Sequence, residues 1–153
     1  MVNRVTGVSL ERDAHTSARL SRVRQRNTAP EVAVRQVLHR LGLRFRVKNT
    51  DLPGSPDIAN RAARWAVFVH GCFWHHHEGC SRATVPKRNR AFWVEKFRAN
   101  RARDERACRE LRAMGFIVLV VWECESRAGL VAAKVKLALR VGRPLESDPA
   151  RHG

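Results

Sequence analysis

The chain has 153 residues and a mass of 17.4 kDa, a size that fits one domain with its own hydrophobic core. Its 30 lysine and arginine residues outnumber 14 acidic residues, which gives a net charge of +16 and a pI near 11.5. We therefore expect a polyanion, nucleic acid first of all, as the partner. The hydrophobic fraction of 44% excludes a disordered basic tail as the whole molecule.

Two further classes of protein are excluded by residue usage. No stretch approaches the roughly 20 apolar residues that a membrane span needs, and the amino terminus lacks the apolar segment of a secretion signal. We therefore expect a cytoplasmic protein with no membrane partner. The four cysteines are too few and too unevenly spaced for a secreted disulfide scaffold, so we expect them to be metal ligands or core residues.

The first part of the chain predicts a basic arm followed by a helix. Residues 1–28 hold many arginines and few large apolar residues, a composition typical of a flexible arm. Thr28, an early proline and Glu31 form a predicted capping box at the start of the first helix. Apolar residues at helical spacing continue to Gly42, and a short strand is predicted over 45–47.

The middle of the chain predicts strands and one long loop. A turn-rich segment leads to a strand over 57–59, and a near-continuous apolar run over 65–69 predicts a central strand covered on both faces. Residues 71–90 show no periodicity and hold most of the histidines. Long loops of this kind are usually functional, so we expect a site here.

A long amphipathic helix is predicted from Phe92 to Met114. Asn100 and Asp104 lie one turn apart on its otherwise apolar face. Burying an amide and a carboxylate costs free energy unless they have partners, so these residues either cap something or serve a site.

The remainder of the chain completes an α/β pattern. An apolar strand is predicted over 116–122, and a last amphipathic helix over 130–141. We therefore predict a single domain over 29–141 and a polar tail over 142–153.

Candidate metal ligands are concentrated in the predicted loop. A tetrahedral zinc ion needs four thiolate or imidazole donors, and Cys72, Cys80, Cys124 and one loop histidine can supply them. Four protein ligands would make the site structural and would leave the other histidines free to act as general bases. Cys108 lies on the apolar stripe of the long helix and is expected in the core.

Two other zinc enzymes are weaker alternatives. His76-His77-Glu78 matches half of a zinc deaminase pattern, but the companion Pro-Cys-x-x-Cys is absent. A generic zinc hydrolase would require one open ligand position on the metal.

A second pattern resembles half of a nuclease motif. Pro56-Asp57 opens a strand, as in the pattern Pro-Asp followed by Asp/Glu-x-Lys, but Phe68 and His70 stand at the second acidic and the lysine positions. A single Pro-Asp in a turn is usually structural. Beside a histidine-rich loop on a basic protein, Asp57 could instead help to hold a hard cation for phosphodiester hydrolysis.

Aromatic residues form the third candidate feature. Phe73 and Trp74 are adjacent in a polar loop and Trp93 lies near a helix start, positions suited to stacking on bases or wedging between them. Trp65, Phe68 and Trp122 lie in strands and are interpreted as core. Nearby basic residues, among them Lys87 and Arg88, are candidate phosphate contacts, although a solvated face is the simpler interpretation.

Together these motifs resemble the very short patch repair endonuclease family, which nicks DNA beside a thymine mispaired with guanine. The resemblance runs from about Arg19 to Arg127. The segments that carry it are Leu52-Pro53-Gly54-Ser55-Pro56-Asp57, Phe68-Val69-His70-Gly71-Cys72-Phe73-Trp74-His75, Val85-Pro86-Lys87, Phe92-Trp93-Val94-Glu95-Lys96, Asn100 through Asp104, and Val120-Val121-Trp122-Glu123-Cys124. The resemblance implies a restriction-endonuclease-like fold, with a central mixed sheet flanked by helices and a structural zinc site.

The resemblance also implies roles for residues in the catalytic site. Asp57 would bind Mg²⁺ together with the backbone carbonyl of Val69, and His75 would be the general base. The residues that would complete the catalytic network are His70, Asp104, Asn100 and, with a weaker claim, Glu31.

By the same resemblance, a second set of residues would bind zinc and DNA. Two residues separate His77 from Cys80 where the family pattern has one, which leaves the choice between His76 and His77 open. The implied zinc ligands are Cys72, His77, Cys80 and Cys124; the residues implied to approach DNA are Phe73, Trp74 and Trp93 as wedges and Leu20 and Val23 on the arm in the minor groove.

The sequence thus predicts a monomeric bacterial hydrolase of DNA repair, associated with the nucleoid. It would use Mg²⁺ for catalysis and Zn²⁺ for structure, cut one strand of double-stranded DNA 5′ to the thymine of a T·G mispair, and work with mismatch-repair accessory proteins. Such mispairs arise when 5-methylcytosine deaminates. The alternative is a non-catalytic, zinc-stabilised module that binds distorted or mismatched duplex DNA.

Overall fold

The computed structural model of the protein describes residues 27–141, without the side chains of Arg140 and Val141. The predicted tail over 142–153 and nearly all of the predicted arm, with Leu20 and Val23, lie outside the described residues. The elements, in chain order, are α1 (Ala29–Arg40), β1 (Ile58–Asn60), β2 (Trp65–His70), α2 (Arg90–Ala113), β3 (Ile117–Trp122), a 3-10 turn (Glu123–Glu125) and α3 (Ala128–Val141).

The three strands form a mixed sheet with β2 at its centre. β1 pairs antiparallel with β2, while β3 pairs parallel with β2 on the other side. The parallel register places His70 opposite Trp122, so the carboxyl ends of β2 and β3 meet at one edge of the sheet. The predicted mixed sheet with a central strand over 65–69 is confirmed.

Helices cover both faces of the sheet. Successive strand residues point to opposite faces, so Trp65 and Val67 join one core with α1 and α3, while Ala66 and Phe68 join a second core with α2. Because both faces are covered, β2 has no solvent-facing side, which explains its unbroken apolar sequence.

The predicted strand over 45–47 is absent from the sheet. Only Arg46 pairs there, through one isolated antiparallel bridge to Ala59. The side-chain amide of Asn49, which is buried, donates to the carbonyls of Arg46 (2.9 Å) and Pro56 (3.1 Å). These bonds hold the chain in a turn immediately after the bridge, so the pairing does not extend.

The helix boundaries follow the predictions with local differences. At α1, the Thr28 hydroxyl accepts from the Glu31 N–H as predicted, but the Glu31 carboxylate accepts from the N–H of Asn27 (3.0 Å) instead of closing the box on Thr28. Helix α3 begins two residues before Leu130. In the described part of the chain, no helix is long and apolar enough to cross a membrane.

Candidate active site and metal centre

A cleft of about 800 Å³ opens beside the carboxyl end of β2, between α1 and α2. Ligand sites of open α/β sheets commonly lie at the carboxyl ends of strands. The cleft brings together all six residues predicted to be catalytic. The residues lining it are Glu31, Asp57, Val69, His70, His75, Asn100 and Asp104, together with Trp74, Lys96 and Arg103.

Asp57 lies immediately before β1 and is tied to the end of β2. Its Oδ2 accepts a hydrogen bond from the N–H of Val69 at 2.7 Å. Burial raises the pKa of Asp57 to about 6; the Val69 N–H opposes that rise, and the negative charge of Glu31 adds to it. Asp57 is therefore a carboxylate whose ionised form is poorly compensated by the protein itself.

These surroundings suit a hard cation. A carboxylate oxygen of Asp57 and the backbone of Val69 adjoin in the cleft, and Mg²⁺ prefers oxygen ligands of this kind. A positive charge at this position would offset the cost of ionising Asp57 in a buried place. The residues present thus fit the predicted magnesium site.

His75 and Asp104 form a hydrogen-bonded pair across the cleft. Nδ1 of His75 lies 2.5 Å from Oδ2 of Asp104. In the neutral ring, a carboxylate acceptor beside Nδ1 favours the tautomer with its proton on Nδ1 and its lone pair on Nε2. This pairing explains the carboxylate on the apolar face of α2, and it leaves His75 with a nitrogen that can accept a proton.

His70 supports His75 from within the protein. It is only 5% exposed, and its ring stacks on the ring of His75 with centroids 3.9 Å apart and planes 3° apart. Burial, followed by the neighbouring His75, lowers the pKa of His70 to about 4, so this ring is neutral at pH 7. The lone pairs of an imidazole lie in the plane of its ring. Because the rings of His70 and His75 are parallel, their lone pairs do not point at one shared metal ion.

Asn100 and Glu31 act on their surroundings through hydrogen bonds. The Asn100 side-chain amide donates to the carbonyl of Trp74 at 2.9 Å and so holds the loop beside His75. Glu31, 6% exposed, accepts from Arg35 at 3.2 Å while lining the cleft. Sequence reasoning placed both at the site but did not assign these partners.

A second cluster lies next to the cleft residues in the sequence. It consists of Cys72, His77 and Cys80 of the histidine-rich loop and Cys124 of the turn after β3. Nδ1 of His77 lies 3.8 Å from Sγ of Cys72 and 3.4 Å from Sγ of Cys124. The ligand atoms of these three residues and of Cys80 all lie within 4.8 Å of one another. Three cysteine sulfurs and one imidazole are a donor set typical of tetrahedral structural zinc sites.

The backbone selects His77 and turns His76 away. His76 has a φ of 46° and its ring stacks on Phe97, with centroids 5.0 Å apart. Gly79, between His77 and Cys80, has a φ of +76°, a left-handed conformation that glycine adopts readily.

Two thiols of the cluster differ in how readily they ionise. A backbone hydrogen bond from Arg82 lowers the pKa of Cys80. Burial raises the pKa of Cys72 to about 12, with the neighbouring thiols adding to the rise. A zinc ion among these donors would reverse that preference, because a coordinated thiol is deprotonated. Cys108, by contrast, is buried against Ala107 and Leu111 in the core, as predicted.

Trp122 lies between the cluster and the cleft, although the sequence indicated only a core role for it. Its ring stacks on His77 with centroids 4.1 Å apart and planes 4° apart. It also meets His70 edge to face, with centroids 5.2 Å apart. The single available signal was its position directly before Glu123-Cys124 at the end of a strand.

The predicted DNA-wedging aromatics pack against one another. Phe73 contacts Trp74, Trp93 and Phe97 edge to face at centroid distances of 5.2, 5.5 and 5.3 Å. Trp93 is only 7% exposed, whereas Phe73 and Trp74 are half-buried. Lys87 and Arg88 are exposed in the segment that leads into α2.

Comparisons with known proteins agree with a DNA-cutting site. The family model for DNA mismatch endonuclease Vsr matches residues 11–82. The chain is 48% identical over 118 residues to the type II nicking enzyme V.XorIIP of Xanthomonas oryzae pv. oryzae, covering 76% of this chain and 86% of that protein. It is 41% identical over 119 residues to the DNA mismatch endonuclease Vsr of Escherichia coli K12, covering 75% and 76%.

The basic α/β fold, the cleft and these relatives together define a DNA endonuclease. Within that class, the chain belongs to the Vsr family of DNA mismatch endonucleases. A third relative, the nicking enzyme V.NmeAIP of Neisseria meningitidis serogroup A, is 42% identical over 104 residues, which cover 68% of this chain and 74% of the relative.

Proposed function

We propose that this endonuclease cuts one strand of a DNA duplex 5′ to the thymine of a T·G mispair, by magnesium-dependent hydrolysis. The observation that carries the proposal is the cleft in which Asp57 and the His75–Asp104 pair face the same space, in a member of a mismatch endonuclease family. A restriction-endonuclease-like fold accompanies this proposal, supported by the mixed sheet with helices on both faces.

The proton transfer follows from the geometry of His75. With Nδ1 held by Asp104, Nε2 of His75 takes a proton from water, and the hydroxide attacks phosphorus in line with the leaving 3′ oxygen. Asp104 stabilises the imidazolium that forms, as the carboxylate of a His–Asp pair does. His70, neutral at pH 7, packs against His75 and fixes its ring plane without adding charge.

The metal ions have separate roles in this proposal. Asp57 and the carbonyl of Val69 would hold Mg²⁺, which supplies positive charge to the phosphate as negative charge develops. Glu31 adds negative charge beside this position and favours cation binding. Cys72, His77, Cys80 and Cys124 would hold Zn²⁺ as a structural ion, because all four ligand positions are filled by protein.

The proposed DNA contacts come from the histidine-rich loop, which supplies Trp74 to the cleft, and from the start of α2. Phe73, Trp74 and Trp93 form the proposed wedge beside the mispair: the half-buried Phe73 and Trp74 present its accessible edge, and the buried Trp93 supports them as one stiff unit. Lys87 and Arg88 contact phosphates. The proposed arm over 1–28 follows the minor groove through Leu20 and Val23, outside the 29–141 endonuclease domain.

The cellular setting completes the proposal. The enzyme would act as a monomer in the bacterial cytoplasm, on the nucleoid, in short-patch repair of deaminated 5-methylcytosine. Mismatch-repair accessory proteins would be its protein partners.

The test uses labelled duplexes that differ only in carrying T·G or C·G at one position. Wild-type protein should nick the T·G duplex alone, and only when Mg²⁺ is added. Asp57→Ala should abolish nicking while binding the T·G duplex as the wild type does, because it removes a metal ligand and leaves the aromatic cluster intact. Binding of T·G without nicking by the wild type would instead favour the non-catalytic binder, and indifference to the mispair would contradict both the specificity and the wedge.

A further inference from the structure

Four aromatic rings form a continuous series from the Cys/His cluster to the cleft. His77 stacks on Trp122 (4.1 Å), Trp122 meets His70 edge to face (5.2 Å), and His70 stacks on His75 (3.9 Å). The series ends at Asp104, which holds the far ring of His75. A member of the cluster is thus connected to the residue placed as the proton acceptor by ring contacts alone.

The position of Trp122 within this series is fixed independently of the rings. Trp122 pairs with His70 in the parallel ladder of β2 and β3. The backbone N–H of Trp122 donates to Oε2 of Glu125 at 3.2 Å, and the same oxygen accepts from Nζ of Lys134 on α3 at 2.9 Å. The backbone of Trp122 is therefore held by the strand ladder and Glu125, and its indole is held separately by the rings of His70 and His77.

We propose that Trp122 is a positioning residue that transmits the geometry of the Cys/His cluster to His70 and, through it, to His75. The inference rests on the proposed function of His75. Within it, the cluster has a second role besides holding the loop: it sets the ring plane in which Nε2 of His75 meets its water.

The physical reason is how the ring of His70 is supported: the indole of Trp122 meets it edge to face at 5.2 Å, while the ring of Phe68 lies farther off, at 5.8 Å and tilted. A ring in a hydrolytic site must be held in a near-attack geometry, and an error of about 1 Å can cost on the order of a hundredfold in rate. An aliphatic side chain at position 122 would fill part of the volume but would offer no flat surface to either histidine. His70 would then tilt, and the stacked ring of His75 would turn with it about its hydrogen bond to Asp104.

The experiment compares three variants in magnesium and zinc buffer. Trp122→Leu removes the flat ring, Trp122→Phe keeps a smaller one, and Trp65→Leu is the matched control. Trp65 is a buried tryptophan at the other end of the sheet, roughly 16 Å away along β2. Each variant is measured for zinc content, duplex affinity, single-turnover nicking of the T·G duplex, and the histidine ring resonances by NMR without DNA.

Trp122→Leu should keep its zinc and its affinity for DNA within about twofold but lose about tenfold or more in nicking rate. Trp122→Phe should recover to within about threefold of the wild type. In the DNA-free spectra, the ring signals of His70, His75 and His77 should move in Trp122→Leu and stay in place in Trp65→Leu. Trp65→Leu should have a lower melting temperature than the wild type. At temperatures where this variant is folded, its nicking rate should equal that of the wild type.

Three results would overturn the proposal: an unchanged nicking rate in Trp122→Leu, loss of zinc from that variant, or His70 and His75 signals that do not move. If Trp122→Leu fails to fold, the same measurements on Trp122→Phe test the proposal. A nicking rate equal to that of the wild type, together with unmoved His70 and His75 signals, would then contradict it. Failure of the proposed function is distinct, because it would appear as a wild-type protein that does not nick while the NMR shifts still report the ring series.

Discussion

At the scale of single residues, Asp57 combines two properties that oppose each other. Its carboxylate is placed in a cleft where a cation would bind, yet burial raises its pKa to about 6. The folded protein without Mg²⁺ therefore holds a charge that is more costly there than in the unfolded chain. Sequence reasoning found the residue from its Pro-Asp context, but the pKa depends on neighbours that only the fold supplies.

The raised pKa makes a prediction about stability. The pKa of Asp57 is higher folded than its ordinary 3.8, so ionisation destabilises the folded state as pH rises from about 4 to 6, and the cost stays in full above that range. Asp57→Asn keeps an oxygen for the Val69 N–H and removes the charge. At pH 7.5 without magnesium, the variant should gain about 3 kcal/mol in unfolding free energy, measured by urea titration.

The gain should shrink when the titration is repeated at pH 5, where part of the wild-type Asp57 is protonated. A variant no more stable than the wild type at pH 7.5 would contradict the raised pKa. Nicking by the wild type should fall as pH drops through about 6, because protonated Asp57 no longer attracts a cation, and added Mg²⁺ should move that midpoint to lower pH.

At the scale of elements, the turn that leads to Asp57 is held by its close contact with helix α2. Gly54 precedes Asp57 in a turn with φ of +71°, and a Cβ there would lie 2.4 Å from Cβ of Ala107 on α2 and 3.2 Å from the ring of Phe68. Both the backbone conformation and the space demand glycine. The turn thereby sets how closely Asp57 approaches the helix that carries Asp104.

Gly54→Ala should destabilise the protein by about 2 to 4 kcal/mol, from the strained φ and from overpacking against α2. Gly42→Ala is the matched control, because Gly42 has φ of +74° but nothing within 4 Å of an added Cβ. The control should lose only about 1 kcal/mol. Urea unfolding of both variants measures the difference, and equal losses would show that the contact with α2 is not tight.

At the scale of the whole molecule, two sites share one loop and one sheet edge. The Cys/His cluster ties the loop after β2 to the turn after β3, and the cleft lies beside it. Coordination of metal in small domains contributes folding free energy, because the site does not exist in the unfolded chain. A metal ion held by the cluster would therefore help to order the loop.

Cys124→Ala should lose bound zinc and lower the melting temperature, since one of four donors at the end of β3 is removed. Cys108→Ala, at a buried cysteine outside the cluster, should keep its zinc and lose only a modest packing contribution of about 1 kcal/mol. Zinc content by metal analysis and thermal unfolding distinguish the two. An unchanged melting temperature in Cys124→Ala would argue against the site.

The charge of +16 makes a second prediction for the whole protein. Affinity for DNA should fall steeply with salt, by about a thousandfold between 50 and 200 mM if several phosphates are contacted. Lys87→Ala should reduce the slope of log affinity against log salt by about one, equally for T·G and C·G duplexes. Lys136→Ala, on α3 at the opposite face of the sheet, should leave the slope unchanged. If Lys87→Ala and Lys136→Ala changed the slope equally, Lys87 would lie outside the DNA interface.

Much of the candidate site could be predicted from the sequence, because residue types and their spacing along the chain are visible there. The apolar runs predicted β2 and β3, the Pro-Asp placed Asp57, and the polar pair on an apolar helix face placed Asn100 and Asp104. The strand over 45–47 was predicted wrongly, since residue preference cannot foresee that buried Asn49 turns the chain. These are local properties, and local preference determines them only where no distant group competes.

The sequence by itself determined the α/β order of elements, the strong positive charge, and the supply of thiols, imidazoles and carboxylates. The tertiary structure alone decided that His77 instead of His76 faces the thiols, that His75 pairs with Asp104, and that Trp122 lies between the two sites. The reason is physical: spacing along the chain limits which residues can meet, but backbone conformation and packing of β2 against β3 and α2 select which of them do.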